Sequence, residues 1–195
     1  MGIVKLRGKN ATGSTSAVDA WPVVSAKTLI STAVQFAYAS ANAADAYYVS
    51  KGTATMTVAA PAVVTLSTHG LVSGDYVKFT TAGALPTGLT AGTQYFVIYV
   101  DANTFKLATT YADAINGINP ITTSGTQSGT HTLYAGGTGA RLVLAKLIDS
   151  TGAYREELVQ LNGTTKVVSS IPLSFRCVGL EIVQYGSGGT GAGII

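Results

Sequence analysis

Few residues in this chain could do acid–base, nucleophilic or metal chemistry: two histidines, nine carboxylates and one cysteine among 195 residues. His69 and His131 have no acid or cysteine beside them at metal-ligand spacing, so neither a zinc site nor any other cofactor is expected. His69 sits before Gly70 in a turn-like stretch, where an imidazole can simply cap backbone groups. A Ser-His-Asp triad need not be contiguous in sequence, but no G-x-S-x-G elbow is present to support one. Glu156 and Glu157 are adjacent, and in a strand adjacent side chains point to opposite faces. They therefore make no paired acid–base site. One is expected to be solvated and the other to pair with a base such as Arg155 or Arg176. Cys177 has no partner for an internal disulfide and reads as a small buried hydrophobe. The run Gly186-Ser187-Gly188-Gly189-Thr190-Gly191 has the form G-x-G-x-x-G. A dinucleotide fold needs a helix next and an acid some way on, and residues 192–195 hold room for neither. Gly-Gly-Thr-Gly-Ala also occurs at 136–140, and both copies read as loops that leave space for neighbouring backbone. The expectation is a protein that is not an enzyme.

Composition points the same way. Charged residues are 11% of the chain and hydrophobic ones 47%, with 23 glycines, against about 25% charge in an ordinary soluble domain. Weak charge with many small and hydroxyl residues suits a surface that partners will cover. The net charge of +3 is scattered except at Lys5, Arg7 and Lys9, a basic cluster that could touch an acidic neighbour or stand as a solvated tail. Trp21, beside Pro22 in a loop-like stretch, reads as an anchor into a neighbouring subunit or as packing on its own domain. Lys5, Arg7, Lys9 and Trp21 are the candidate contact residues. No apolar run reaches transmembrane length and no secretory core precedes a cleavage site, so a protein made and used on the soluble side of a cell is expected.

The elements that must position any site are strands. Residues 1–20 read as an arm, and 28–40 as a strand or a short helix. From about residue 53 the pattern alternates. Thr55–Val58 and Val63–Leu66 flank a Pro61 turn, Tyr76–Thr80 follows, and Gln94–Val100 is aromatic and β-branched throughout. Its aromatic residues could form a stacking platform for sugars or bases, but alternation places half of them in the core. Asp101-Ala102-Asn103 are turn formers leading to Thr104–Leu107. Residues 122–133 form a polar loop into a last short strand. Then come Arg141–Ile148, Tyr154–Leu161, a hairpin at Asn162-Gly163 leading to Thr165–Ser169, and Arg176–Tyr185. Strands at this spacing with turns between them predict an all-β sandwich or barrel.

Two sets of words carry a resemblance. His69–Asp75, Gly83–Leu89, Gln94–Ile98 and Asp101–Ala108 together resemble a small β-barrel module recurrent in phage structural and tail proteins. It is labelled as similar to the first catalytic cysteine half-domain of ubiquitin-activating enzymes. In phage proteins the label describes the fold, and Cys177 lies outside the stretch. Gly137–Arg141, Glu156–Val159, Leu161–Val167 and Gly186–Thr190 are similar to a β-sandwich pattern of phage head proteins, cement (decoration) proteins included. In that pattern a stretch like Ala44-Asp45-Ala46 runs soon into the Gly-Thr-Gly-Ala turn, and here residues 53–133 stand between. An insertion in a loop is thermodynamically cheap. The expected architecture is an N-terminal arm (1–20), a discontinuous jelly-roll-like β-sandwich (21–52 and 134–195) and an inserted small β-barrel (53–133). The resemblance implies a virion protein assembled in the host bacterial cytoplasm. It would be a cement protein on the head exterior, with the major capsid protein and further copies of itself, as a homotrimer, for partners. No small-molecule substrate, membrane or nucleic acid is expected. A tail, fibre or head-to-tail component is the structural alternative. A carbohydrate-binding module or adhesin for the host surface is the alternative of another class, and a small hydrolase has the least support.

Overall fold

The computed structural model describes residues 35–172, 174–189 and 191, so the arm at 1–20 and the contact residues Lys5, Arg7, Lys9 and Trp21 lie outside the described residues. The elements run β1 (Ala37–Tyr38), β2 (Val49–Met56), β3 (Val64–Thr65), β4 (Tyr76–Thr81), β5 (Tyr95–Tyr99), β6 (Thr104–Ala108), α1 (Tyr111–Asn116), β7 (His131–Ala135), β8 (Ala140–Asp149), β9 (Tyr154–Gln160), β10 (Val167–Val168) and β11 (Ser174–Tyr185). The chain is mostly β, as its alternation predicts.

Six strands close a barrel in the order β2-β3-β6-β5-β4-β7. Every neighbouring pair with a determined register is antiparallel, and β7 closes it by pairing with both β2 and β4. Ala135 opposes Val49 on one side and Val77 on the other. Period-two alternation then turns one side chain in two to the interior. Ala54, Met56, Val64, Val77, Phe79, Tyr95, Val97, Phe105, Leu107 and Leu133 form one buried cluster there. A bulge between Ser50 and Gly52 interrupts the β2–β7 ladder, a device that bends a strand where a barrel must curve. The polar stretch before β7 is fastened rather than loose. Thr123 Oγ1 donates to the Thr57 carbonyl (2.8 Å), Gln127 Nε2 to the Met56 carbonyl (2.7 Å), and bridges join Ala84 to Ser128 and Thr87 to Ser124.

Helix α1 was not expected from the sequence. It is only six residues long, too short for a 3.6-residue period to show. Its boundaries are nonetheless encoded. Thr110 is the N-cap and accepts from the Asp113 N–H, with Thr110 and Asp113 side chains hydrogen bonded in return, and Gly117 ends the helix in the left-handed region. Ala114 packs with Ile98 and Ala108, outside the main barrel core.

Elsewhere the described strands form a three-stranded sheet β11-β8-β9 and a two-stranded pair β1-β10. The expected hairpin at Asn162-Gly163 is corrected. Asn162 bridges Thr165, so the two turn residues are Gly163 and Thr164, and β10 pairs with β1 rather than with β9. The physical reason lies far away in sequence: Asn162 also bridges Ala46, and the Gly163 N–H donates to the Asp45 carbonyl (2.9 Å). The Ala41–Ala46 loop thereby captures the turn. The chain divides into two compact units. One includes Ala145–Glu157 and Val168–Leu180; the other holds Ala37–Leu144, Leu158–Val167 and the residues from Glu181 on.

Phe79 is fully buried at the centre of the barrel cluster. Phe79→Ala is expected to lower stability by about 3–5 kcal/mol, read as a shift of the urea midpoint followed by far-UV circular dichroism. A shift equivalent to less than about 1 kcal/mol would mean that the barrel interior is not a tightly packed core.

Candidate functional site

The residues that could do chemistry are found fastening loops. His69 accepts the Leu71 N–H at Nδ1 (3.0 Å) and places Nε2 2.9 Å from the Asp101 carbonyl. Those two contacts require the neutral tautomer with the proton on Nε2. His69 therefore caps backbone groups, as its place before Gly70 suggested. His131 is likewise buried, with Nδ1 2.9 Å from Thr81 Oγ1. Asp101 staples the β5–β6 hairpin, accepting from the N–H groups of Asn103 (2.7 Å) and Thr104 (2.8 Å) and from the Thr104 hydroxyl. These hydrogen bonds hold its carboxyl below the ordinary aspartate range.

In the other unit Asp149 accepts from Thr151 N, Thr151 Oγ1, Ala153 N and Arg155 Nε, all within 3.0 Å. The Thr151 hydrogen bond first, then that of Arg155, drives its carboxyl far below the usual range. Glu157 accepts from Ser169 and Ser170, and Glu156 from the Tyr154 hydroxyl (2.7 Å). The expected pairing of a glutamate with Arg155 is thus corrected: that guanidinium goes to Asp149, which lies across the β8–β9 turn. Cys177 is half-buried rather than a core residue, with Sγ 3.6 Å from the Gly179 carbonyl. Among the described residues no group of three or more His, Cys, Asp or Glu side chains could hold a metal.

One concavity in the barrel unit has a different character. A cleft of about 320 Å³ is lined by Lys51, Asp75, Gly136, Thr138, Arg141 and Ser187, among others. In the sequence Arg141 reads only as the first residue of an apolar strand, yet here it is closely held. Its Nε donates to the Gly137 carbonyl (2.7 Å), and its guanidinium lies 5.4 Å from the Tyr76 ring centroid. Tyr76 is stacked on Tyr47 in turn, at 4.6 Å and 16°, and donates its hydroxyl to the Tyr47 carbonyl (3.0 Å). Burial raises the Tyr76 phenol well above its ordinary range, with Arg141 opposing part of the effect. Burial pushes Tyr48 up to about 12, with Tyr47 adding to it, and the Tyr48 hydroxyl donates to Gln94 (2.7 Å). Both phenols are therefore neutral donors near neutral pH.

The repeated Gly-Gly-Thr-Gly-Ala words explain this architecture. Gly136 has no Cβ because one would stand 2.3 Å from Arg141 Cζ. At Gly186, just ahead of the second copy, a Cβ would stand 2.0 Å from the Gly137 carbonyl oxygen. Gly186 N donates to the Gly139 carbonyl (2.7 Å) and Gly188 N to that of Thr138 (2.8 Å). At the first copy the expectation of a loop with room for neighbouring backbone is met, and Gly186, just ahead of the second, and Gly188, which begins it, lie against it. This repeat was the signal in the sequence that could have led to Arg141.

Large apolar side chains also stand in solvent on both units. In the barrel unit Tyr111 is 59% exposed and Val72 62%, with Ile115 beside Tyr111 one helical turn on; in the other unit Tyr154, Val178 and Leu180 are exposed. No helix among the described residues is long and apolar enough to cross a membrane. Searches of protein-family models, of curated proteins and of solved structures return no match to this chain.

The Asp149 staple makes a pH prediction. A carboxyl lowered by folding adds stability that is fully present above its unfolded value of about 3.9 and is lost as pH falls toward the folded value. The difference in urea midpoint between wild type and Asp149→Asn should be constant from about pH 7 to about pH 5 and should close below about pH 4. A difference that does not change with pH would show that the carboxylate charge is not what holds the turn.

Proposed function

We propose that the chain is a non-catalytic structural protein of a bacteriophage particle, a cement (decoration) protein on the head exterior. In this reading residues 21–52 and 134–195 form a discontinuous β-sandwich that docks on the major capsid protein and on further copies of the chain as a homotrimer. The barrel projects outward. The observation that carries the reading is the distribution of side chains. Among the described residues His69, Asp101 and Asp149 are engaged in loop hydrogen bonds, while large apolar groups such as Tyr154, Val178, Leu180 and Tyr111 are left at the surface of both units. Low overall charge and the sequence resemblance to phage head proteins support it.

Adhesion is then the mechanism. Apolar surface removed from water contributes roughly 25 cal/mol per Å², less the cost of association. Repetition over a symmetric shell multiplies a modest contact. The test is add-back of the purified full chain to particles lacking it, counted by quantitative mass spectrometry and located by cryo-electron microscopy. Hundreds of copies at one class of symmetry axis, with a raised temperature of particle rupture, are expected. A handful of copies at a single vertex would reassign the chain to the tail or head-to-tail junction. No particle binding would overturn the proposal.

A further inference from the structure

We propose that the cleft at Arg141 binds an acidic sugar, gripping its carboxylate with Arg141 and Lys51 and its ring hydroxyls with the surrounding polar groups. The site is independent of where in a particle the chain resides. Four observations converge on it. First, Arg141 is held in place before any ligand arrives, by the Gly137 carbonyl on one nitrogen and the Tyr76 face beneath it. The Tyr47–Tyr76 stack and the absent Cβ at Gly136 keep that position open. A planar guanidinium fixed by one edge offers its remaining N–H groups to a carboxylate at little entropic cost. Second, among the described residues neither Arg141 nor Lys51 forms an ion pair, though the only other charged group lining the cleft is a carboxylate.

Third, that carboxylate, Asp75, is engaged with the Val72 N–H (3.0 Å) through one oxygen. Two cations and one anion leave the lining with a single net positive charge. That balance suits a monoanion, and Asp75 would repel a phosphate dianion while accepting from a sugar hydroxyl. Fourth, the rest of the wall sets the hydroxyls of Thr138 and Ser187 and the peptide groups of the glycines at 70, 136 and 186 beside the apolar Leu71 and Val72, against which the C–H face of a sugar ring can lie. Such a wall complements a ring of hydroxyls, and about 320 Å³ has room for a ligand of the size of one or two sugar rings.

The experiment uses the full chain, ¹⁵N-labelled, titrated separately with sodium D-glucuronate, N-acetylneuraminate, glucose, acetate and inorganic phosphate. The expected result is saturable shifts of the Gly136–Arg141 and Gly186–Ser187 amides with at least one of the two acidic sugars. Glucose and acetate should each bind at least tenfold more weakly, because each carries only half of the recognised chemistry. Arg141→Gln and Lys51→Gln should each weaken acidic-sugar binding at least tenfold. The ring contacts of Tyr76 are made by Tyr47, Tyr48 and Arg141 rather than Lys51, so Lys51→Gln remains informative if Arg141→Gln disturbs the fold. No saturable shift with either acidic sugar would overturn the proposal. So would acetate or phosphate binding as tightly as the sugars, or acidic-sugar affinity unchanged by Lys51→Gln.

Discussion

Asp45 is fully buried, and burying a carboxylate is unfavourable unless donors replace the water it loses. Here the donors come from residues far apart in sequence. Ser40 donates its hydroxyl to one oxygen, and the Ala140 N–H donates to the other at 2.6 Å. The Asp45 backbone carbonyl meanwhile receives the Gly163 N–H. A single residue thus fixes its own loop, the first residue of β8 and the turn after β9. Neighbouring peptide groups reinforce it: Gly137 N and Gly139 N donate to the carbonyls of Ala46 and Ala44. Asp45 acts as a staple through geometry, since each of its partners would otherwise be an unsatisfied group beside a buried charge.

The placement of Arg141 follows from that staple. Ala140 is held by Asp45, so β8 starts at a defined point, and the side chain of the next residue, Arg141, is directed back along the Gly136–Gly139 segment to the Gly137 carbonyl. From the other side the barrel supplies the aromatic support. β4 carries Tyr76 and Lys78, and Lys78 Nζ sits 3.9 Å from the centroid of the Tyr48 ring. The pairing of β4 with β7 and of β7 with β2 sets where these rings can stand relative to residues 47–51. Barrel closure and the buried aspartate therefore converge on the same few residues by separate routes.

How much of this was legible in the sequence depends on how local each signal is. The β5–β6 hairpin was readable because its code is contiguous. Alternating aromatic and β-branched residues run into Asp101-Ala102-Asn103, and the same aspartate makes the turn hydrogen bonds. The function of His69 as a backbone cap was readable for the same reason, since Leu71 is two residues away. Asn162-Gly163 misled because the rule that favours it there considers only the turn. Asp45, over a hundred residues earlier, claims the Gly163 N–H and displaces the turn by one residue. Arg141 and Asp45 were illegible as a pair of functions because their partners are Gly137, Tyr76, Ser40 and Ala140, whose types announce nothing by themselves. Only the doubled Gly-Gly-Thr-Gly-Ala word marked the region, and it marked a close approach of backbones rather than a charge.

The low charge of the chain and the presence, among the described residues, of cations outside ion pairs are connected. Asp75, Asp101 and Asp149 accept backbone N–H groups in turns, Asp113 accepts from the Thr110 hydroxyl and the Asn119 side-chain amide at the helix cap, Asp45 accepts a backbone N–H in the interior, and Glu157 receives Ser170 N. A carboxylate placed to satisfy peptide donors has fewer free lone pairs and a fixed position, so it is rarely where a lysine or arginine can reach it. Arg155 reaches Asp149 only because the turn carries the two together. In a chain with so few acids, using them as loop staples leaves cations such as Lys51 and Arg141 outside ion pairs among the described residues. Two of these, Lys51 and Arg141, fall on one concavity that also carries Asp75, two hydroxyls, glycine peptide groups and the apolar Leu71 and Val72. The same economy that makes the loops rigid therefore concentrates positive potential at one place. An anionic group entering there meets cations whose desolvation is not already offset by an internal salt bridge.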